Sequence, residues 1–198
     1  MIPFARTDDS IVGRWWWTVD RWLLASLLIL MLAGLIFSMA ASPPVALNLN
    51  QDSFFFVRRH MMFLPVALVV LIGFSLMSAQ TVRRAAVILF LGFFTLTALT
   101  LVLAPEIKGS TRWLNIAGFT LQPSEFLKPL LFVVCAWMFA ERARDPAFPG
   151  QFIAGALAAA VVGVLVLQPD FGQAFLVFLV WSAQYFMAGM PLTVLALL

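Results

Sequence analysis

Charge is what this sequence has least of. Only 11% of its 198 residues are Asp, Glu, Lys or Arg, while 63% are hydrophobic, and the mean hydropathy is +1.02. Soluble domains carry roughly 25% charged residues and 45–50% apolar ones. No soluble fold covers so much apolar surface with so few charges, and lipid is the fitting solvent. Cysteine and histidine are nearly absent as well. The single cysteine, Cys135, sits inside an apolar run. It excludes an internal disulfide and a cysteine metal cluster, and reads as a small buried residue on a membrane helix. The single histidine, His60, stands alone near the end of an apolar run. No Ser-His-Asp arrangement, Gly-rich phosphate loop, metal-ligand cluster, internal repeat or low-complexity linker is visible. The net charge of +3 and pI near 9.8 do not point to nucleic acid. The basic residues are few, scattered and placed beside apolar runs, where they act as topology signals.

Charge-poor runs organise the chain. A transmembrane helix needs ~20 mostly apolar residues to cross ~30 Å of hydrocarbon. Six runs fit: 22–41, 61–78, 85–104, 123–140, 152–167 and 171–188. A seventh starts at Pro191, a good first-turn residue, and reaches Leu198. Eight residues rise only ~12 Å, less than half a bilayer, so the chain is expected to be part of a longer membrane protein. The fold class expected is all-α, a polytopic transmembrane helical bundle. It comprises a cytoplasmic segment 1–21, the bundle 22–198, and one long outer loop at 105–122.

With the N-terminus in the cytoplasm, Arg6, Arg14, Arg21, Arg83, Arg84, Arg142 and Arg144 lie inside. Arg58, Arg59, Lys108 and Arg112 lie outside, and Lys128 falls within the membrane. Seven against four favours this orientation, with Arg58 and Arg59 as the main dissent. Trp15, Trp16 and Trp17 suit an aromatic belt at the inner interface. Ser38-Met39-Ala40-Ala41 loosely resembles a signal-peptidase site. Asp8, Asp9 and Asp20 spoil the basic lead-in, and the further spans favour an uncleaved anchor.

Three charged residues stand at membrane depth or its edge: Glu125, Lys128 and Asp170. A charge at a helix centre costs ~2.5–3.5 kcal/mol on insertion scales, so such residues face a cavity or each other. Glu125 and Lys128 are spaced i, i+3 and share a helix face. Gln122-Pro123-Ser124-Glu125 reads as a helix start at the outer surface, with Gln122 or Ser124 available to satisfy free N–H groups. Asp170, in Gln168-Pro169-Asp170-Phe171-Gly172, falls on the same membrane face, as do Lys108, Arg112 and Trp113. A polar pocket at the outer leaflet follows, suited to an anionic headgroup such as a pyrophosphate. Plainer readings stand beside it. Glu125–Lys128 is equally a packing ion pair, Asp170 an N-cap of the sixth span, and Arg112-Trp113 an interface anchor. On these residues alone a transporter and an enzyme are not separated.

The stretch Lys108-Gly109-Ser110-Thr111-Arg112-Trp113-Leu114, followed by Leu121-Gln122-Pro123-Ser124-Glu125-Phe126-Leu127-Lys128, resembles a signature of the SEDS family, to which FtsW and RodA belong. Gln168-Pro169-Asp170-Phe171-Gly172 resembles the family's second motif, in the right order and one helical hairpin away. The resemblance covers the whole chain as the first part of a longer bundle. The lead-in and Asp20-Arg21-Trp22-Leu23-Leu24 look more like the division branch than the elongation branch. The resemblance implies a peptidoglycan glycosyltransferase of the bacterial inner membrane that polymerises lipid II at the periplasmic face. It implies a general-base aspartate beyond Leu198, with Glu125, Lys128 and Asp170 in supporting roles. Arg112, Gln122, Pro123, Ser124, Glu125, Lys128 and Asp170 would bind substrate, Lys128 at the pyrophosphate and Glu125 orienting it. Asp170 would support the cavity or a divalent cation, Mg or Mn. The partners implied are a class B penicillin-binding transpeptidase, other divisome membrane proteins and membrane lipids. Small residues at Ala154, Gly155 and Ala158 are expected to offer a partner's helix a close approach. A lipid II flippase and a non-catalytic divisome scaffold are the alternatives.

Overall fold

The computed structural model describes residues 10–105, 110–116 and 119–189. Lys108 and the expected seventh span lie outside the described residues. The chain divides into two compact units, residues 1–78 and 79–198.

In the first unit, a short helix α1 (Ile11–Thr18) precedes two long ones, α2 (Arg21–Asn48) and α3 (Phe55–Leu76). Helix α1 was not foreseen, because eight residues are too few to show in an apolar-run scan. Ser10 Oγ caps it by accepting from the Gly13 N–H at 3.0 Å. The Trp15 indole N–H donates to Ser75 Oγ at 2.9 Å and ties α1 to the end of α3. Asp20 caps α2, accepting from the N–H groups of Trp22 and Leu23 at 2.9 and 3.0 Å. Helix α2 runs 28 residues, about 42 Å, well past the expected end at Ala41. Pro43 and Pro44 lie inside it without ending it. Ser42 Oγ donates to the Ser53 carbonyl at 2.8 Å, and Asn50 closes the turn at φ 52°, a region asparagine tolerates. Helix α3 starts six residues before the expected Met61. Arg58 and Arg59 interrupt the apolar run but not the backbone, and Arg58 pairs with Asp52. The His60 ring lies beside Gly34, in an apolar cavity between α2 and α3.

The second unit holds α4 (Ala79–Leu103), a two-stranded hairpin of β1 (Leu114–Ile116) and β2 (Phe119–Leu121), then α5 (Pro123–Arg144), α6 (Gly150–Leu167) and α7 (Phe171–Met187). The antiparallel hairpin pairs Leu114 with Leu121 and Asn115 with Thr120. It fills part of what the sequence presented as an outer loop. Helix α5 is central and packs against α4, α6 and α7. Its buried residues Leu127, Leu131, Val134, Cys135 and Met138 repeat at helical spacing and face Ala154, Ala158, Val161 and Leu165 of α6 and Val177 and Trp181 of α7. Lipid tails are as apolar as leucine, so close packing, not burial from water, holds these helices together. Ala154 and Ala158 are therefore spent inside the bundle. The Cys135 thiol rests on the Ala154 carbonyl at 3.7 Å, and Gly155 lies under Trp181. The expectation that these small residues face a partner is corrected.

The α5–α6 turn is closely packed. A Cβ on Gly150 would come within 2.1 Å of the Met138 carbonyl oxygen, so only glycine fits. Asp145 Oδ1 accepts from the Ala147 N–H at 2.9 Å, and Arg142 donates to the Phe148 carbonyl at 3.3 Å. Among the described residues, five helices, α2 to α6, are long and apolar enough to cross a membrane, and α7 is a shorter apolar helix of 17 residues. The polytopic helical architecture expected from the sequence is the one observed.

Candidate functional site

One cluster of polar residues in the second unit lies where α4 ends and α5 and α7 begin. Pro123 opens α5 at a position where its missing N–H costs nothing. Gln122, Glu125 and Lys128 follow one another at i, i+3 and i+6 along one side of this helix. Lys128 is almost fully buried, and its Nζ donates to Glu125 Oε1 at 2.9 Å. The same ammonium donates to Gln173 Oε1 of α7. Glu125 is 49% exposed, so one end of the pair meets open space while the cation stays inside. Pro129, one turn further on, has no N–H to offer the Glu125 carbonyl, which leaves that oxygen free of its usual helical donor.

A second group centres on Asp170. Its side chain is 6% exposed, and Oδ2 lies 2.9 Å from Arg112 Nη1. Gln122 Nε2 donates to the same oxygen at 3.5 Å and to Ser124 Oγ at 3.2 Å. Arg112 Nε is buried and has no protein partner. The turn that carries Asp170 is fixed by Gln168, which is itself buried. Gln168 Nε2 donates to the Thr97 carbonyl at 2.8 Å and to Thr100 Oγ1 at 2.5 Å, and the Gln168 carbonyl accepts from Ser110 Oγ at 2.9 Å. Helix α4, the segment before the hairpin, and the α6–α7 turn thus meet at one glutamine.

Several sequence readings change here. Asp170 stands at the N-cap position of α7 but makes no side-chain cap bond, because Arg112 and Gln122 take its carboxylate. Gln122 gives α5 no side-chain cap either; its amide turns toward Asp170 instead. Arg112 is half-buried on Asp170, not simply an anchor in a lipid interface. The Glu125–Lys128 pair forms as the i, i+3 spacing suggests. Gln173 was overlooked; the available signal was an amide in the first turn of an apolar helix, three residues after Asp170. Thr97 and Thr100 carried no signal in the sequence, and Ser110 was marked only as part of the resembling stretch, with no role assigned.

The donors do not fit a divalent cation held by these residues alone. Magnesium seeks near-octahedral oxygen ligation, typically from one or two carboxylates plus phosphates and waters. Asp170 is already neutralised by Arg112, Glu125 already holds Lys128, and among the described residues no group of three or more His, Cys, Asp or Glu converges.

The fold and this network define a class: a multi-pass helical membrane protein with buried, paired charges at one end of its bundle. A family model described as "Cell cycle protein" and named for FtsW, RodA and SpoVE matches residues 20–198, and the chain belongs to this FtsW/RodA/SpoVE family. A probable peptidoglycan glycosyltransferase FtsW of Caulobacter vibrioides is 41% identical over 191 residues, covering 96% of this chain and 49% of that protein. A probable FtsW of Aeromonas salmonicida is 34% identical over 173 residues, covering 86% and 44%. The crystal structure of the rod shape determining protein RodA of Thermus thermophilus matches with a TM-score of 0.68 and 28% identity, over 88% of this chain and 56% of that one. The chain spans about half the length of the curated relatives it matches.

Proposed function

We propose that the full-length protein is a peptidoglycan glycosyltransferase that polymerises lipid II during septal wall synthesis. The observation that carries the reading is the buried Lys128 ammonium, held by a half-exposed carboxylate and a neutral amide at the start of α5. A buried ion pair kept only for packing is replaceable as a whole by apolar residues at little cost or at a gain. A cation with one exchangeable anionic partner suits an arriving pyrophosphate. The relatives that support the reading are named probable peptidoglycan glycosyltransferases.

In this reaction the 4-hydroxyl of an acceptor GlcNAc attacks C1 of a donor MurNAc. The bond from C1 to the pyrophosphate oxygen breaks, undecaprenyl pyrophosphate leaves, and the hydroxyl proton passes to a base outside residues 1–198. The described residues would bind and orient. Lys128 would take charge developing on the pyrophosphate, Glu125 would yield and direct it, and Arg112–Asp170 would hold the adjoining wall. Arrangements that meet developing charge with preplaced donors account for much of catalysis in such sites. In this reading the N-terminus and residues 141–150 are cytoplasmic, and the hairpin faces the periplasm from the inner membrane. A class B penicillin-binding transpeptidase would crosslink the product strands.

The test is gel analysis of polymer made from labelled lipid II by the purified full-length protein. Lys128→Ala and the double swap Glu125→Lys with Lys128→Glu are expected to abolish polymer while expression and insertion stay normal. Polymerisation by the double swap would leave the pair a packing role. Transport of lipid II across vesicles with no polymer formed would favour a flippase.

A further inference from the structure

The cross-helix bonds of the site share a pattern. Gln122, just before α5, donates its amide to the Asp170 carboxylate, and Gln173 of α7 accepts from the Lys128 ammonium. Each bond joins one neutral amide to one charged group, and Asp170 and Gln173 stand i, i+3, as Gln122, Glu125 and Lys128 do. An ammonium only donates, so the amide of Gln173 must present its oxygen to it.

We infer that Gln173 is a positioning residue that holds the Lys128 ammonium in place for an anionic diphosphate without neutralising it. This rests on the reading of Lys128 given under Proposed function. An ammonium carries three N–H donors, of which Glu125 and Gln173 take two. When a diphosphate oxygen displaces the half-exposed Glu125, Lys128 still needs an anchor, or its flexible four-carbon stem is free to follow the carboxylate outward. A carboxylate at position 173 would anchor it equally well but would leave the site with one net negative charge that repels the ligand. An apolar residue there would leave only Glu125 to hold it. A neutral amide does both things, and its NH2 group has no hydrogen-bond partner among the described residues, so it adds donors to the site and no charge.

The test uses the full-length protein in nanodiscs, with lipid II as substrate and undecaprenyl pyrophosphate as competing probe. Gln173→Met keeps the volume and removes the acceptor. It is expected to raise the KM for lipid II and the Ki of the probe about tenfold, and to raise KM by more than it lowers kcat. Gln173→Glu is expected to weaken the probe further still, with an unchanged thermal midpoint. Lys128→Ala separates the two ideas. If it leaves the Ki unchanged, the anion site itself fails, and this inference with it. If it raises the Ki while Gln173→Glu binds the probe as the wild type does, only the role of Gln173 is overturned. Losses that track a falling thermal midpoint in both Gln173 variants would likewise overturn it.

Discussion

Asp170 heads helix α7, yet its carboxylate points away from that helix's own N–H groups and meets Arg112 Nη1 at 2.9 Å. The stabilisation a cap would give, typically ~1 kcal/mol, is forgone for a cross-segment ion pair. The two partners are unequal: Asp170 is 6% exposed and Arg112 34%. Removing the arginine strands a buried charge, whereas removing the aspartate frees a cation that can reach solvent.

That asymmetry gives a first prediction. Arg112→Ala is expected to destabilise the protein by about 2–3 kcal/mol, below the roughly 3–5 of a fully buried pair. Asp170→Asn should cost about 1 kcal/mol, since an amide still accepts from Arg112 and Gln122. The double variant should cost less than the two losses added together. Denaturation midpoints in one detergent decide it; strict additivity would show that the pair contributes nothing.

Lys128→Arg keeps the charge and changes its shape. A planar fork does not replace a compact ammonium between Glu125 and Gln173 on a buried stem. Polymerisation by the full-length protein is expected to fall about tenfold or more, with expression unchanged. Full activity in this variant would mean that any cation serves, and that the reach of Lys128 is unimportant.

Gly150 makes a prediction free of any function. Alanine there places a Cβ 2.1 Å from a backbone oxygen, so α6 must shift away from α5. A loss of about 1–3 kcal/mol, or failure to accumulate, is expected. Gly163 sits in the same helix with nothing within 4 Å of its missing Cβ, and Gly163→Ala should be neutral or gain about 0.5–1 kcal/mol. Equal thermal shifts in the two variants would contradict the close contact.

Topology can be tested by a membrane-impermeant maleimide. Ser110 is buried on the Gln168 carbonyl and is a poor reporter, whereas Asn115 in the hairpin and Arg144 at the end of α5 are exposed. Asn115→Cys should label in intact cells, and Arg144→Cys only after permeabilisation. The native Cys135 is buried and should stay silent. The reverse pattern would invert the orientation.

The helices were legible because lipid imposes a simple rule: long runs without charge must be helical and must span. The α5 start was legible too, since Pro123 and the Glu125–Lys128 spacing each have a local cause. What stayed hidden was everything set by distant segments. The destination of the Asp170 carboxylate and the bonds of Gln168 to Thr97 and Thr100 depend on partners up to 71 residues away. An N-cap aspartate and an ion-paired one look alike in sequence, and only the position of Arg112 tells them apart. Ala154 and Ala158 misled for the same reason: a small-residue stripe shows that something comes close, not what.

Gln168 also orders events during synthesis. Thr97 and Thr100 belong to α4, Ser110 to the segment before the hairpin, and Gln168 arrives 58 residues after Ser110. A nascent chain that has delivered α4 and α5 to the bilayer therefore holds Arg112 and Lys128 before either Asp170 or Gln173 exists to receive them. Until the α6–α7 turn follows, two cations wait with Glu125, on the same helix as Lys128, as the one partner yet made among Glu125, Asp170 and Gln173. The network that joins these charges is a product of the α6–α7 hairpin, and a ribosome stalled before residue 168 leaves α4 and α5 in place without the groups that bind Arg112 and anchor Lys128 across helices.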